Sequence, residues 1–311
     1  MHTIFIDGEV GTTGLQIRER LAGRADLELI SLPEARRKDP AARAEAINAA
    51  DAVILCLPDD ASREAVSMLR NEHTRIIDAS TAFRTAPGWT YGFPEMERGA
   101  QAVRIAASHR VSNPGCYPTG FIALVRPLID AGLIPAGWPV TVNAVSGYSG
   151  GGKAMIAEFE AEGGADAFRL YGLTLKHKHV AEMQQHTGLL HRPLFVPSVG
   201  RFRQGMLVSV PLQLSAIPGT PSIELIHGAL TDAYAGARFV EVADLDETQG
   251  MTGLEPEALN DTNGMRLHVF GDPAGDQALL VAQLDNLGKG ASGAAVQNLN
   301  LVLGLDEGLG L

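Results

Sequence analysis

The sequence predicts an α/β protein in two parts. The first is a Rossmann-type domain with a doubly wound parallel sheet. The second is an α+β domain with a mainly antiparallel sheet. Three observations carry this expectation. Short apolar runs alternate with helical stretches through the first 115 residues, the βαβα order of a parallel sheet. The first of these runs, Ile4-Phe5-Ile6, leads straight into spaced glycines and an amphipathic segment. Beyond Cys116, strand-like runs follow one another with few helical stretches between them.

Residues 3–6 read as a short buried strand. Gly8, Gly11 and Gly14 follow, and then a helix with Leu15, Ile17 and Leu21 apolar. In that setting glycines let the backbone approach a pyrophosphate, which rests on the helix N-terminus. The spacing is G-x-x-G-x-x-G rather than the more common G-x-G-x-x-G. A second strand is expected at 27–32, whose end reads the adenosine ribose. There the chain offers Ser31 and the cations Arg36, Arg37 and Lys38 against one acid, Glu34. Hydroxyl and cations suit a 2′-phosphate, so NADP(H) is the expected cofactor. Residues 40–50 read as an Ala-rich helix. The run 52–57 is continuously apolar, as in buried parallel strands, which makes Cys56 a core residue. Pro58 ends it, and a helix is expected over 61–70. Further strands are expected at 75–80 and 105–107. Such sheets bind ligands outside the carboxyl ends of their strands. Ser80, Arg84 and Cys116 all follow strand ends, so one crevice is expected to hold them.

In the second half, strands are expected at 140–146, 207–212, 239–242, 266–270 and 278–284. A short helix covers 182–186 and stops near Gly188. In the tail, Gly288-Lys289-Gly290 precedes a helix through Val296, Leu299, Leu303 and Leu305. A glycine-rich helix start after a strand suits a return to the nucleotide domain, with Lys289 and Gly290 touching the cofactor. The expected division is therefore 1–115 with 286–311 for the nucleotide domain and 116–285 for the second.

Composition narrows the partners. A formal net charge of −11 argues against nucleic acid or an anionic membrane. An anionic substrate must then meet a few locally placed cations. Two cysteines give no disulfide framework, and no secretory signal or membrane-length apolar run is evident. A cytoplasmic protein is expected.

The chemistry centres on Ser112-Asn113-Pro114-Gly115-Cys116-Tyr117-Pro118-Thr119. Pro114 and Gly115 make a turn, and Pro118 suits the first turn of a helix. Cys116 should thus lie at a helix N-terminus, where unpaired N–H groups and the helix dipole favour a thiolate nucleophile. The loop Gly147–Lys153 nearly spells a P-loop, but Ala154 offers no hydroxyl to a magnesium ion. A glycine loop whose Lys153 holds an anionic substrate is the simpler reading. Tyr171, His177, His179 and Glu182 form a second cluster. Histidines at i and i+2 share a face in an extended segment, and either could transfer a proton with Glu182 orienting it. A zinc site from His177, His179 and His186 lacks a fourth ligand, and no metal is expected.

These motifs resemble the N-acetyl-γ-glutamyl-phosphate reductase family, which is related to aspartate-semialdehyde dehydrogenase. The resemblance rests on residues 112–119, on His177-Lys178-His179 with Glu182, on Asp78–Arg84 and on Tyr91-Gly92-Phe93-Pro94-Glu95. The opening Asp7-Gly8-Glu9-Val10-Gly11-Thr12-Thr13-Gly14 is similar to the shorter of its two sequence types, and the likeness runs from residue 4 to the tail helix. Two features depart from the longer type: Asp7 stands where a small residue is usual, and Lys153 where arginine is common. The resemblance implies NADPH-dependent reductive dephosphorylation of N-acetyl-γ-glutamyl phosphate, in arginine biosynthesis, by a homo-oligomer (dimer or tetramer). It implies a thioester on Cys116, with His177, His179 and Glu182 as catalytic residues. Gly8, Gly11, Thr12, Thr13, Gly14, Ser31, Arg36, Pro58, Lys289 and Gly290 would bind the cofactor. Ser80, Arg84, Arg110, Asn113, Lys153 and Tyr171 would bind the substrate. The alternatives are the same chemistry on aspartyl phosphate or a carrier-linked aminoadipyl phosphate, a P-loop phosphotransferase, and a nucleotide-binding regulatory protein without catalysis.

Overall fold

A computed structural model describes residues 1–162, 167–272 and 274–311. The chain divides into two compact units. One comprises Met1–Pro94, Ala100–Pro114 and Ala291–Leu311, and the other Glu95–Gly99 and Gly115–Gly290.

The first unit holds six strands: β1 (His2–Asp7), β2 (Leu27–Ile30), β3 (Ala52–Leu55), β4 (Arg75–Asp78), β5 (Thr90–Tyr91) and β6 (Arg110–Ser112). They form one sheet in the order β2-β1-β3-β4-β6-β5, parallel throughout. The strands are apolar on both faces because both faces are covered. Ile4, Ile6, Ala52, Ile54 and Ile77 pack under the helices Thr12–Leu21 and Gly293–Val302. Phe5, Val53, Leu55 and Ile76 pack on the other side against Ala46, Ile47 and Ala65 of the helices Pro40–Ala49 and Asp59–Ser67. At about 1.5–3 kcal/mol per fully buried aliphatic side chain, these two layers supply the main stabilisation of the unit. The order reverses between β1 and β3, the switch point where doubly wound sheets bind their ligands.

Residues 105–107 are not a strand. Ala100–Ala106 is a helix with only Gln101 and Ile105 buried, and the sheet takes the less apolar Arg110–Ser112 instead. A three-residue apolar run cannot distinguish a helix turn from a strand.

The second unit holds β7 (Thr141–Gly147), β8 (Phe168–Leu170), β9 (Leu194–Gly200), β10 (Met206–Gln213), β11 (Val240–Val242), β12 (Met265–Gly271) and β13 (Gln277–Leu284). Their sheet has the order β11-β12-β13-β10-β7-β9-β8. It is antiparallel except at β11–β12 and β7–β9. The helix Cys116–Asp130 crosses this sheet, and its run Phe121–Val125 is wholly buried. It approaches closely because residue 120 is glycine. A Cβ there would stand 2.9 Å from Val208 Cγ2 and 3.1 Å from Ala282 Cβ. The helix Ile223–Ala233 packs beside it, and Tyr234 Oη just beyond donates to Ala123 O at 2.9 Å. None of the described helices is long and apolar enough to cross a membrane.

Candidate active site

In the first unit, the turn after β1 is built by backbone contact. Gly8 has φ +90, and a Cβ on it would lie 2.3 Å from Cys56 O. A Cβ on Gly14 would lie 2.4 Å from Gly8 O, so only glycine lets the helix Thr12–Leu21 sit this close to the turn. That helix is capped by Gly11 with no side-chain hydrogen bond, and no acid occupies its first turn. Its N–H groups at Thr12, Thr13 and Gly14 therefore suit a pyrophosphate. A dinucleotide fits this cradle: the backbone is bare, the helix end lacks a side-chain cap, and Pro58 begins the next helix beyond β3 at the switch point. Burial raises the pKa of Asp7, and Arg43 answers it with Nε and Nη2 both 3.0 Å from Oδ2. Desolvation, aided by Asp78 and Asp7, pushes the half-buried Cys56 thiol up to about 12, which makes it a poor nucleophile.

At the end of β2, Ser31 and Arg36 are exposed. Arg36 is 3.7 Å from Asp39, whereas Arg37 turns its Nε to Glu9, 3.3 Å away, where Arg18 also binds. An exposed hydroxyl and guanidinium at this end of β2 are groups of the kind that suit a 2′-phosphate.

Ser80, Arg84 and Asn113 also lie in the first unit, whereas Cys116 lies in the second. Asp78, fully buried and raised in pKa by that burial, accepts from Ser62 Oγ and Ser80 Oγ, both at 2.6 Å. Arg84 donates from Nε to Asn113 O at 2.9 Å and from Nη2 to Ala79 O at 3.0 Å. Asn113 donates to Ala291 O and accepts from Asn298 Nδ2. These three side chains shape the loop after β4 and β6. Arg110 is exposed at the start of β6, beside Ile76. In a parallel sheet that is the amino end of the strand, opposite the end that binds ligands.

In the second unit Cys116 is the first residue of its helix, with extended Gly115 as N-cap and no side-chain cap. Pro118 offers no N–H, and Thr119 closes the first turn onto Gly115 O at 3.0 Å. The helix thus opens with the N–H groups of Cys116 and Tyr117 ahead of its first closed turn. One cavity of about 160 Å³ gathers Cys116, Tyr117, Tyr171, His177, His179 and the glycine loop at 147, 150 and 151.

The histidines come together through a turn, not an extended segment. His179 is the N-cap of the helix Val180–Thr187, and the two imidazole centroids are 4.8 Å apart. His179 N donates to His177 Nδ1 at 3.2 Å. With Nδ1 accepting, the proton of the neutral ring sits on Nε2. Burial, aided by Lys178, lowers the pKa of His177 to about 4, so it is neutral near pH 7. Tyr117 packs its ring on both, with centroids at 6.1 and 5.9 Å. Tyr171 Oη donates to Tyr117 Oη at 2.9 Å, and Tyr117 Oη donates to Ser198 O at 3.1 Å. Burial pushes Tyr171 up to about 12 and Tyr117 well above its ordinary value, so both stay protonated. Tyr171 has spent its proton on Tyr117 and keeps an oxygen that can accept.

Glu182 is buried, and its Oε1 accepts from Gly115 N at 2.8 Å. Its carboxylate thus anchors the residue before the nucleophile, a role the spacing from His179 did not suggest. Lys153 is exposed on the first turn of the helix Gly152–Glu160, directly after the glycine loop. Lys289 and Gly290 belong to the second unit. The Lys289 ammonium is 1 % exposed and 2.6 Å from Glu95 Oε1, so its charge is neutralised there. Sequence reasoning gave no role to Tyr117 or Glu95. Tyr117 was legible as the neighbour of Cys116, but Glu95 lies far from Lys289 in sequence. Among the described residues no group of acids, histidines and cysteines could hold a metal ion.

Comparison with known proteins agrees with this layout. Residues 9–103 match the semialdehyde dehydrogenase NAD binding domain, and residues 116–286 match the semialdehyde dehydrogenase dimerisation domain. N-acetyl-γ-glutamyl-phosphate reductase 2 of Pseudomonas putida is 58% identical over 308 residues, 98% of each chain. N-acetyl-γ-glutamyl-phosphate reductase of Brucella anthropi is 60% identical over 307 residues, covering 97% of this chain and 98% of that one. Among solved structures, aspartate semialdehyde dehydrogenase II of Vibrio cholerae aligns with a TM-score of 0.68 at 14% identity, over 97% of this chain and 98% of that one. The NADP-bound enzyme of Candida albicans aligns at 0.64 and 12%, over 98% and 99%. At those identities the structures carry the fold alone.

Proposed function

The chain belongs to the N-acetyl-γ-glutamyl-phosphate reductase family, and from that membership we propose that it converts N-acetyl-γ-glutamyl phosphate to N-acetylglutamate semialdehyde through a thioester on Cys116. The observation that carries the reading is the single cavity that Cys116 shares with His177, His179 and Tyr171. The Cys116 thiolate attacks the acyl carbon. A C–S bond forms, the C–O bond breaks, and phosphate leaves with its electron pair, which divides one difficult step into two easier ones. Gly8, Gly11, Thr12, Thr13 and Gly14 with Ser31, Arg36 and Pro58 would hold NADPH, which would supply the hydride for reduction of the thioester. The hemithioacetal on Sγ then collapses: the C–S electrons return to sulfur, the hydroxyl proton leaves and the aldehyde is freed.

The geometry supports the following roles. The helix-start N–H groups of Cys116 and Tyr117 stabilise the oxyanion. His177 is neutral and carries its proton on Nε2, so it donates a hydrogen bond to a substrate oxygen. A group with a pKa near 4 is a poor base at neutral pH. Proton transfer therefore falls to His179. Glu182 keeps Gly115 in place. Tyr171 and the glycine loop line the substrate's path, and Lys153 meets its anionic end. The dimerisation-domain match over 116–286 supports a homo-oligomer. Two cysteines, neither of them in a disulfide, support placement in the cytoplasm.

The test is the reverse reaction with N-acetylglutamate semialdehyde, phosphate and NADP. Activity is expected with that aldehyde, far less with aspartate semialdehyde, and none in Cys116→Ser, which should still bind NADPH. A Cys116→Ser enzyme near the wild-type rate would refute the thioester, and equal rates on the two aldehydes would refute the substrate.

A further inference from the structure

The segment from Asp285 to Gly290 is pinned at nearly every residue. Asp285, fully buried, accepts from the N–H groups of Leu287 and Asp261, both at 2.9 Å, and from Gln204 Nε2 at 2.6 Å. Asn286 accepts from Gly205 N at 2.7 Å and donates to Ser149 Oγ of the glycine loop at 3.0 Å. A Cβ on Gly288 would lie 2.0 Å from Thr262 O. Gly290 N donates to Asp285 O at 2.9 Å. A Cβ on Gly290 would lie 2.8 Å from Cys116 Cβ and 3.3 Å from its Cα. The backbone at Gly290 is therefore a wall against which the nucleophile's side chain rests. Between the two glycines stands Lys289, its ammonium 2.6 Å from Glu95 and 5.6 Å from the Phe239 ring centroid.

A buried ion pair is a poor way to gain stability, because an apolar pair of similar volume does as well or better. What such a pair fixes is position. Glu95 opens the segment Glu95–Gly99, in which Glu97 and Arg98 hold left-handed backbone (φ 54 and 56). Non-glycine residues keep that conformation only where the surroundings impose it. Both ends of the pair thus sit on tightly constrained chain.

We propose that the Glu95–Lys289 ion pair is a positioning device for the nucleophile: it holds the Gly288–Gly290 turn against Cys116 and so sets the placement of the thiol. This rests on Cys116 being the nucleophile. Lys289 is then a positioning residue, and its charge serves the pair rather than a cofactor phosphate.

The deciding variant is Glu95→Gln with Lys289→Met, which removes both charges and leaves neither buried alone. Four quantities are measured: alkylation of Cys116 by iodoacetamide against pH, kcat, KM, and NADPH affinity by fluorescence. Alkylation and kcat should fall about tenfold or more, while KM and NADPH affinity stay within about twofold, as expected when a reacting atom is misplaced but binding is intact. An alkylation rate within about twofold of wild type would overturn the proposal whatever happens to NADPH. Should the double variant fail to fold, Gly290→Ala decides. It keeps the pair but crowds Cys116 Cβ, and unchanged alkylation there would equally overturn the proposal. In the wild-type enzyme, a Cys116 that reacts no faster than Cys56 would instead remove the thioester reading itself, a separate outcome.

Discussion

Replacing Glu182 tests what holds the loop in front of the nucleophile. Its Oε1 accepts the Gly115 N–H at 2.8 Å, and both residues are buried. Glu182→Ala leaves that N–H with no acceptor where water does not reach. An orphaned buried donor costs about 1–3 kcal/mol, and the space left by the side chain adds to this. Taking about 2 kcal/mol, the melting temperature falls by roughly 4–8 °C for a unit of this size. Glu182→Gln keeps an oxygen that can accept, so it loses only the charge-assisted part of the bond, about half its strength. Thermal unfolding, Cys116 alkylation and reverse-direction kcat should then rank alike, with wild type first, Gln close behind and Ala last. The decisive comparison is Gln against Ala. If Gln is as inactive as Ala, the charge matters more than the hydrogen bond, and Glu182 acts on a protonated imidazole. If Ala unfolds at the wild-type temperature, the bond to Gly115 carries no weight.

Two further outcomes are expected. The His177 pKa lies near 4 in the folded chain against about 6.5 unfolded, so between those values the unfolded chain binds more protons and stability declines as pH falls. His177→Gln should flatten the decline in melting temperature between pH 7 and pH 5, and an equal decline in both proteins would refute the lowered pKa. Gly14→Ala should weaken NADPH binding about tenfold or more, although alanine is the better helix former by about 1 kcal/mol, because its Cβ would meet Gly8 O at 2.4 Å. An unchanged fluorescence titration would show that the glycine turn is not the pyrophosphate cradle.

The first sheet was legible because its signal is local. Ile4–Ile6 and Ala52–Leu55 are apolar on both sides, and both sides are buried. The second sheet was legible where strands alternate, as at Met206–Gln213 with its buried Met206, Val208, Val210 and Leu212. Leu194–Gly200 does not read as a ladder strand in sequence, because Pro197 within it cannot donate to a ladder. The structure nonetheless places this strand between β7 and β8, with Pro197 opposite Ala144. Parallel pairing at β7–β9 is set by partners far along the chain, which no local pattern encodes.

The site divides along the same line. Cys116 at a helix start follows from Gly115, Pro118 and the apolar run after them, all within a few residues. The cations do not follow, because a sequence shows which side chains carry donors but not which donors are already used. Arg84 has the charge to anchor a carboxylate, yet Nε and Nη2 are bound to the carbonyls of Asn113 and Ala79. Lys289 has the charge to meet a phosphate, yet Glu95 neutralises it. Arg110 is exposed, but at the wrong end of its strand. Among the described residues, those lining the Cys116 cavity include no lysine or arginine. The donors that line it are His177 Nε2 and the Tyr117 backbone N–H in the first turn of the helix. Such donors are neutral and fixed in direction. They favour an oxygen at one place over negative charge in general, and this suits a site where charge moves from a departing phosphate onto a carbonyl oxygen.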